Sequence, residues 1–367
     1  MDLLTHAALG ASLGELLLGK KIGNRALAWG AAVALVPDLD VLLSPFLSHS
    51  NNLWWHRGPS HSLIIAALVS WWISKPLAGL WKRDKITRKL AGWFVFTVWL
   101  SHILLDCFTV YGTSLLWPFP QRNAFNNFFI IDPLFVGILL AGVLWMVFLR
   151  GKKQLPKRRR INAWTLGLSA AYLALSFGMK TIASRGFEHD LARKGITPQR
   201  RIEAPTPFNI FLWRSIAEND DGILVGHRSV FDRKDMPIRW LHIPRGRESV
   251  SGLKDHKTFR RIDWFSDGWW IARPHANGVW IADVRFGEML EWDDRKKSVD
   301  LQFPFAWEIL PGHKEPLRRL RISRRDAGEQ MKRLMWRVCG KTDTWISGIP
   351  RLKGITGQLP ETLRAID

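Results

Sequence analysis

Residues 90–110 read LAGWFVFTVWLSHILLDCFTV. The stretch is apolar and long enough to cross a bilayer core of about 30 Å at about 1.5 Å rise per residue. His102 and Asp106 bring ionisable groups into it. They lie four residues apart, so a helix places both on one face, one turn apart. An ionisable group inside a membrane segment is costly, and its default reading is functional. A nitrogen and an oxygen donor presented together suit a metal ion.

Five further apolar stretches accompany this one, at 3–19, 26–47, 61–80, 130–149 and 162–183. Each has about the length of a bilayer span. The first is short, holds His6 and Glu15, and also fits a re-entrant segment. It does not read as a signal peptide, because Lys20, Lys21 and Arg25 follow the apolar run instead of preceding it. The loops at 20–25, 81–89 and 150–160 carry net charges of +3, +4 and +7 and belong in the cytoplasm. The loops at 48–60 and 111–129 carry one arginine each, Arg57 and Arg122, and belong outside. The alternation gives about six spans with the N-terminus outside, and residues 185–367 then also lie outside.

Composition separates two halves. Residues 1–184 hold 19 Lys or Arg and seven Asp or Glu, whereas residues 185–367 hold 34 and 25 and read as a charged globular segment. The expected domains are a membrane-embedded helical domain, 1–184, and a soluble extracytoplasmic α+β domain, 185–367. The chain has 21 Trp against two Tyr, and Trp favours membrane interfaces. A net charge of +21 invites a nucleic-acid reading, but the basic residues of the first half sit in short loops between apolar segments, which argues against it. The surplus of the second half reads as a solvated basic surface that can face anionic lipid headgroups. Cys107 and Cys339 have no metal-binding spacing, and the place of Cys107 in an apolar segment argues against a disulfide between them.

On a topology derived from Lys and Arg alone, the other ionisable residues of the first half gather on one side. His6 lies near the outer end of the first segment, Asp38 and Asp40 in the outer half of the second, His56 and His61 at the outer entry to the third, and His102 and Asp106 in the outer half of the fourth. In Pro37-Asp38-Leu39-Asp40 the two carboxylates share one face of a strand but lie about 200° apart on a helix. One is expected to bind metal while the other orients a histidine. A turn at Gly58-Pro59 can bring His56 and His61 together, with Ser60 as N-cap of the third segment and His61 in its first turn.

The expected metal ligands are therefore drawn from His6, Asp38, Asp40, His56, His61, His102 and Asp106. Mixed His and Asp donors suit Zn²⁺, with Mn²⁺ and Fe²⁺ as alternatives, and their number leaves room for one or two ions. Asp38, Asp40 and Arg57 are the expected catalytic residues, Arg57 steadying a substrate phosphate. Asp132, before Pro133, reads as a helix N-cap. His49 reads as an ordinary loop residue. His189, His227, His242, His256, His275 and His313 lack ligand spacing and read as surface or structural residues.

Leu4-Thr5-His6, Pro37-Asp38-Leu39-Asp40, His56-Arg57-Gly58 with Ser60-His61, and Ser101-His102 through Leu105-Asp106 together resemble the bacterial YdjM-like family of inner-membrane proteins. The resemblance covers roughly residues 1–180. It implies a membrane-bound metal-dependent hydrolase, distantly similar to zinc-dependent phospholipase C, in a bacterial inner membrane. The segment Pro205-Thr206-Pro207-Phe208-Asn209 through Trp213-Arg214 is similar to longer members with a C-terminal extension.

In the second half, Gly222–Phe231, Arg239–Ile243 and Pro304–Leu310 read as strands, and Gly268–Arg273 with Val279–Arg285 as a hairpin turning at Asn277-Gly278. Arg324–Val338 reads as a helix with Met331, Leu334, Met335 and Val338 at helical spacing. The many tryptophans are expected to pack this domain's core. The fold class is thus an α-helical transmembrane bundle followed by a soluble α+β domain. The leading functional reading is a hydrolase acting on an ester or phosphoester, with membrane lipids or periplasmic small molecules as substrates. A proton- or cation-coupled transporter is the alternative. It requires polar residues through the whole membrane depth, whereas the Asp and His residues crowd the outer half. A structural anchor for the soluble domain leaves the His/Asp cluster unexplained.

Overall fold

The computed structural model describes residues 1–220, 222–275, 278–289, 291–292, 302–312, 317–319, 327–341 and 365–366. The chain divides into two compact units. The first holds Met1–Phe46, Trp55–Gly178 and Pro207–Asn209; the second holds Leu47–Trp54, Met179–Thr206 and the residues from Ile210 on.

The first unit is helical. Helix α1 (Leu3–Ile22) starts at Asp2, whose carboxylate accepts from Thr5 N, and ends at Gly23, where φ is 56°. That left-handed turn lets α2 (Asn24–Leu35) fold straight back. The two helices meet through glycines: a Cβ on Gly10 would collide with the Gly30 carbonyl and Ala34, and one on Gly14 with the Ala26 carbonyl. Small residues at such a crossing let helix backbones approach closely. Pro37 ends α2, and Pro37–Phe46 continues as a 3-10 helix after a 40° bend.

Helices α4 (Leu63–Leu80) and α5 (Arg88–Cys107) form the next hairpin, with Thr87 capping α5 through Leu90 N at 3.2 Å. Leu18, Ala26, Trp81, Phe94, Val98 and Ile103 form the core that these four helices share. Asp132 caps α6 (Pro133–Phe148), accepting from Leu134 N at 3.1 Å and Phe135 N at 3.0 Å. Helix α7 (Leu155–Arg193) begins in the first unit and ends in the second.

Helix thus occupies all six apolar stretches. Three helical segments are long and apolar enough to cross a membrane, Leu63–Leu80, Arg88–Cys107 and Lys152–Arg193, and the bent pair Asn24–Leu35 with Pro37–Phe46 makes up to four. Pro133–Phe148 is apolar but shorter. Large apolar side chains such as Leu42, Phe46, Trp71, Trp72, Trp145 and Trp164 stand exposed around this unit.

The second unit is built on two antiparallel sheets. One has five strands in the order β1 (Arg200–Pro205), β2 (Leu212–Glu218), β3 (Gly222–Ser229), β4 (Trp240–Pro244), β9 (Ala365–Ile366). The other orders β5 (Trp270–His275), β6 (Gly278–Asp283), β7 (Ala306–Ile309) and β8 (Leu317–Arg319). They share a core of Ile216, Ile223, Val225, Trp269, Ile271 and Trp280. The end of α7 packs Ala183, Phe187 and Leu191 against Trp213, Leu224 and Trp240. The short helix α3 (His49–Trp55) touches α8 (Lys257–Ser266): Trp54 tilts on Trp264 at 4.8 Å, and Arg261 donates to Asn51 Oδ1 at 2.8 Å.

The expected strands over 222–231, 239–243 and 304–310 and the 268–285 hairpin correspond to β3, β4, β7 and β5–β6. His275 pairs with Gly278; Ala276 and Asn277 lie outside the described residues, as does His313. Helix α9 (Ala327–Val338) covers the described part of the expected C-terminal helix.

Candidate metal centre

Four side chains of the first unit converge. Asp38 comes from the 3-10 stretch, His61 from the turn before α4, and His102 and Asp106 from α5. Their donor atoms all lie within 4.8 Å of one another. His61 Nε2 stands 3.1 Å from His102 Nε2, 3.2 Å from Asp106 Oδ2 and 3.6 Å from Asp38 Oδ1. His102 Nε2 is 3.6 Å from both carboxylates. His61, His102 and Asp106 are buried and Asp38 is partly so.

The outer bonds of each histidine fix its tautomer. His102 Nδ1 lies 2.7 Å from the Ala34 carbonyl, which only accepts, so Nδ1 carries the proton and Nε2 offers a lone pair to the centre. His61 Nδ1 lies 2.9 Å from Ser60 Oγ, and Ser60 Oγ donates to Asp40 Oδ2 at 3.0 Å. That relay places the His61 proton on Nδ1 and leaves Nε2 bare as well. Two imidazole lone pairs and two carboxylates thus face one point. Asp106 Oδ2 is buried without a hydrogen-bond partner among the described residues. Arg57 and the Met1 amino group offset part of the carboxylate charge from outside the cluster, and His with Asp donors facing one point fits a divalent transition metal.

The 3-10 geometry explains why Asp38 and Asp40 part company. At three residues per turn, positions two apart point about 240° from each other. Asp38 faces His61 and His102. Asp40 faces away, holding His56 Nδ1 at 3.2 Å and the backbone N–H of Arg57 at 2.7 Å. That second bond fixes Arg57 in its left-handed conformation, with φ 58°. Its Nε lies 3.3 Å from Asp106 Oδ2 and its guanidinium 5.0 Å from the Tyr111 ring centre. His6 stacks on His102 at 3.6 Å and puts Nε2 3.1 Å from Asp106 Oδ1, an oxygen that the Met1 amino group also contacts.

Of the seven expected ligands, four therefore meet at one point, while His6, Asp40 and His56 hydrogen-bond to its carboxylates or their neighbours. Asp132 lies apart as the cap of α6, holding the Tyr172 hydroxyl at 3.0 Å. Ser60 is not the cap of α4. Ser62 takes that position, Ser60 bonds Asp40 and His61, and His61 closes a 3-10 turn before the helix begins. The sequence reading also missed the Ala34 carbonyl and Tyr111. A backbone acceptor leaves no residue signature, and the one signal for Tyr111 is that the chain has only two tyrosines.

The profile of the family described as YdjM inner membrane protein matches residues 1–183. Inner membrane protein YbcI of Escherichia coli (strain K12) is 36% identical over 125 residues, which is 33% of this chain and 70% of that protein. No solved structure matches. The chain belongs to the YdjM inner membrane protein family, and its apolar helices accord with insertion in a membrane.

Proposed function

We propose that this member of the YdjM family is a metal-dependent hydrolase of esters or phosphoesters, working at the outer face of the inner membrane. The observation that carries the reading is the convergence of Asp38, His61, His102 and Asp106 with both Nε2 lone pairs turned inward. A divalent ion, zinc by preference, would be held by these four and would supply Lewis acidity and activation of water at neutral pH. A second ion would have to draw on His6, Asp40 or His56; here His6 bonds Asp106, and Asp40 and His56 bond each other. The chain's own residues do the rest. Asp40 orients His61 through Ser60, His6 steadies Asp106, and Arg57, beside both the centre and Tyr111, meets an anionic substrate oxygen.

Loop charge supports six spans, an outer N-terminus and a second unit outside. Membrane lipids and lipid-linked phosphates are the substrates within reach of that face. A proton- or cation-coupled transporter is the second reading. It is favoured by the buried Glu15–Arg158 pair, away from the His/Asp centre along α1.

Purified protein should hold one or two transition-metal ions and turn over a phosphodiester, phosphomonoester or carboxylic ester in a chelator-sensitive way. His102→Ala and Asp106→Ala should lose the metal, and His227→Ala, in the second unit, should keep it. Asp40→Asn should weaken metal affinity about 10–100-fold as a supporting residue, and Asp38→Asn more. Equal metal content in all variants would overturn the reading. Turnover that persists in chelator would overturn the hydrolytic step alone.

A further inference from the structure

Between Leu155 and Gly178, the fully buried positions of α7 are Arg158, Asn162, Thr165, Ser169, Tyr172 and Ser176. All six are polar. They recur at steps of four and three residues, so they form one continuous stripe down the inward face. Trp164, Leu168, Leu175 and Phe177 stand exposed on the outward side. The helix is therefore inside-out. From Arg158 to Ser176 the stripe runs about 27 Å at about 1.5 Å per residue, close to the thickness of a hydrocarbon core.

Polar side chains between membrane helices commonly serve as glue, hydrogen-bonding across the interface. Part of this stripe does so. Arg158 pairs with Glu15 and reaches Asn24 and the Leu149 carbonyl; Asn162 Nδ2 donates to the Ser12 carbonyl at 2.9 Å; Tyr172 donates to Asp132 at 3.0 Å; Asn127 Nδ2 reaches Ser176 Oγ at 3.4 Å. The remainder does not. Ser12 Oγ, Asn162 Oδ1, Ser169 Oγ and Asn127 Oδ1 are buried and have no hydrogen-bond partner among the described residues. All four residues are at most 3% exposed. Ser12 faces the stripe from α1, and Asn127 faces it beside Ser176. Glue leaves no such orphans, because an unmatched polar atom in a bilayer core costs several kcal/mol. Buried polar atoms with several others nearby are the places where internal water resides.

We propose that the inward face of α7 holds a file of water molecules, from the Glu15–Arg158 pair at one end to Asn127 and Ser176 at the other. The helical unit then contains a hydrated path through most of its depth. This path is distinct from the His/Asp centre, and it stands whether or not that centre binds metal.

Single cysteines test this in the full chain, with Cys107→Ala and Cys339→Ser as background. Ser169→Cys and Thr165→Cys are close in size to the native residues. Leu168→Cys and Leu175→Cys report the outward face. A small charged thiosulfonate reagent reacts with thiolate, which forms only where water reaches. In lipid vesicles the stripe cysteines should react at least tenfold faster than the outward pair. Far-UV circular dichroism and a single elution peak in detergent, measured on the same samples, report whether each variant is folded. Stripe cysteines no faster than Leu168→Cys and Leu175→Cys, in variants that are folded, would overturn the proposal and leave a dry, packed seam. A failure of the metal measurement in the parent protein would instead bear on the hydrolase reading.

Discussion

Tryptophan lives two lives in this chain. In the helical unit Trp71, Trp72, Trp93, Trp145 and Trp164 are exposed, most of their rings turned outward, while Trp81 and Trp99 pack inside. In the sheet unit Trp213, Trp240, Trp269 and Trp307 are sealed in the core. Polar residues are buried in both units, among them Arg214, His227 and Asp283 in the sheet unit. The helical unit buries His6, His61, His102, Asp106 and the α7 stripe, while it shows leucine and tryptophan to its surroundings. A unit folded in water must hide apolar area to be stable. A unit surrounded by lipid gains nothing from doing so, and its interior is free to hold what lipid would reject. The same side chain therefore carries opposite information in the two halves.

The comparison can be broken most decisively by removing one tryptophan from each. Trp240→Ala should destabilise the sheet unit by about 3–5 kcal/mol. It would empty a packed site and leave Asp190, which accepts from the indole N–H at 2.9 Å, short of a donor. Trp72→Ala should change stability by less than about 0.5 kcal/mol. Unfolding in detergent, followed by fluorescence and limited proteolysis, measures both. Equal losses would mean that the helical unit is held together like a water-soluble core.

A smaller effect tests what holds the helical unit instead. Gly10→Val should cost about 1–3 kcal/mol by forcing α1 and α2 apart. Gly137→Ala, on α6 with open space around it, should be neutral or stabilise by roughly 0.5–1 kcal/mol through helix propensity. A neutral Gly10→Val would show that the α1–α2 contact is not a main support.

The smallest effect belongs to pH. Burial holds the His227 imidazole, on β3 and against Trp292, below its ordinary value. The folded unit keeps the ring neutral, while the unfolded chain takes up a proton as pH falls below ~6.5. The stabilisation is complete above that value and is lost as pH falls toward the folded pKa. The thermal midpoint of the sheet unit should therefore decline below about pH 6.5, and less steeply in His227→Gln. Identical slopes in the two proteins would remove His227 from the account.

The sequence showed the helical unit more clearly than the sheet unit, for a physical reason. Six apolar runs separated by basic loops are a coarse signal, and helix formed in every one. The His102–Asp106 spacing was readable because four residues is one helical turn. The split of Asp38 from Asp40 was not, since it depends on a 3-10 helix following Pro37. The α7 stripe of Arg158, Asn162, Thr165, Ser169, Tyr172 and Ser176 is less conspicuous, because neutral polar residues are common in apolar helices whereas acids and histidines are not. In the second unit β1, Arg-Arg-Ile-Glu-Ala-Pro, shows little alternation and went unseen. Helix α8 is not among the expected elements, because its apolar face amounts to Phe259, Ile262 and Phe265 in ten residues.

The two-residue step from Asp38 to Asp40 limits how this stretch can drift over generations. One short turn supplies both a donor for the centre and the anchor for the His56–Ser60 loop, each on its own side. Leu39 between them is exposed and free to become any apolar residue. At about 120° per residue, adding one residue there would bring both carboxylates to one side, and removing one would turn the second to a third side, so that the loop would lose its anchor in either case. Lineages can therefore exchange letters in this stretch with little consequence, but a change in its length would have to be matched by rebuilding the loop that faces it.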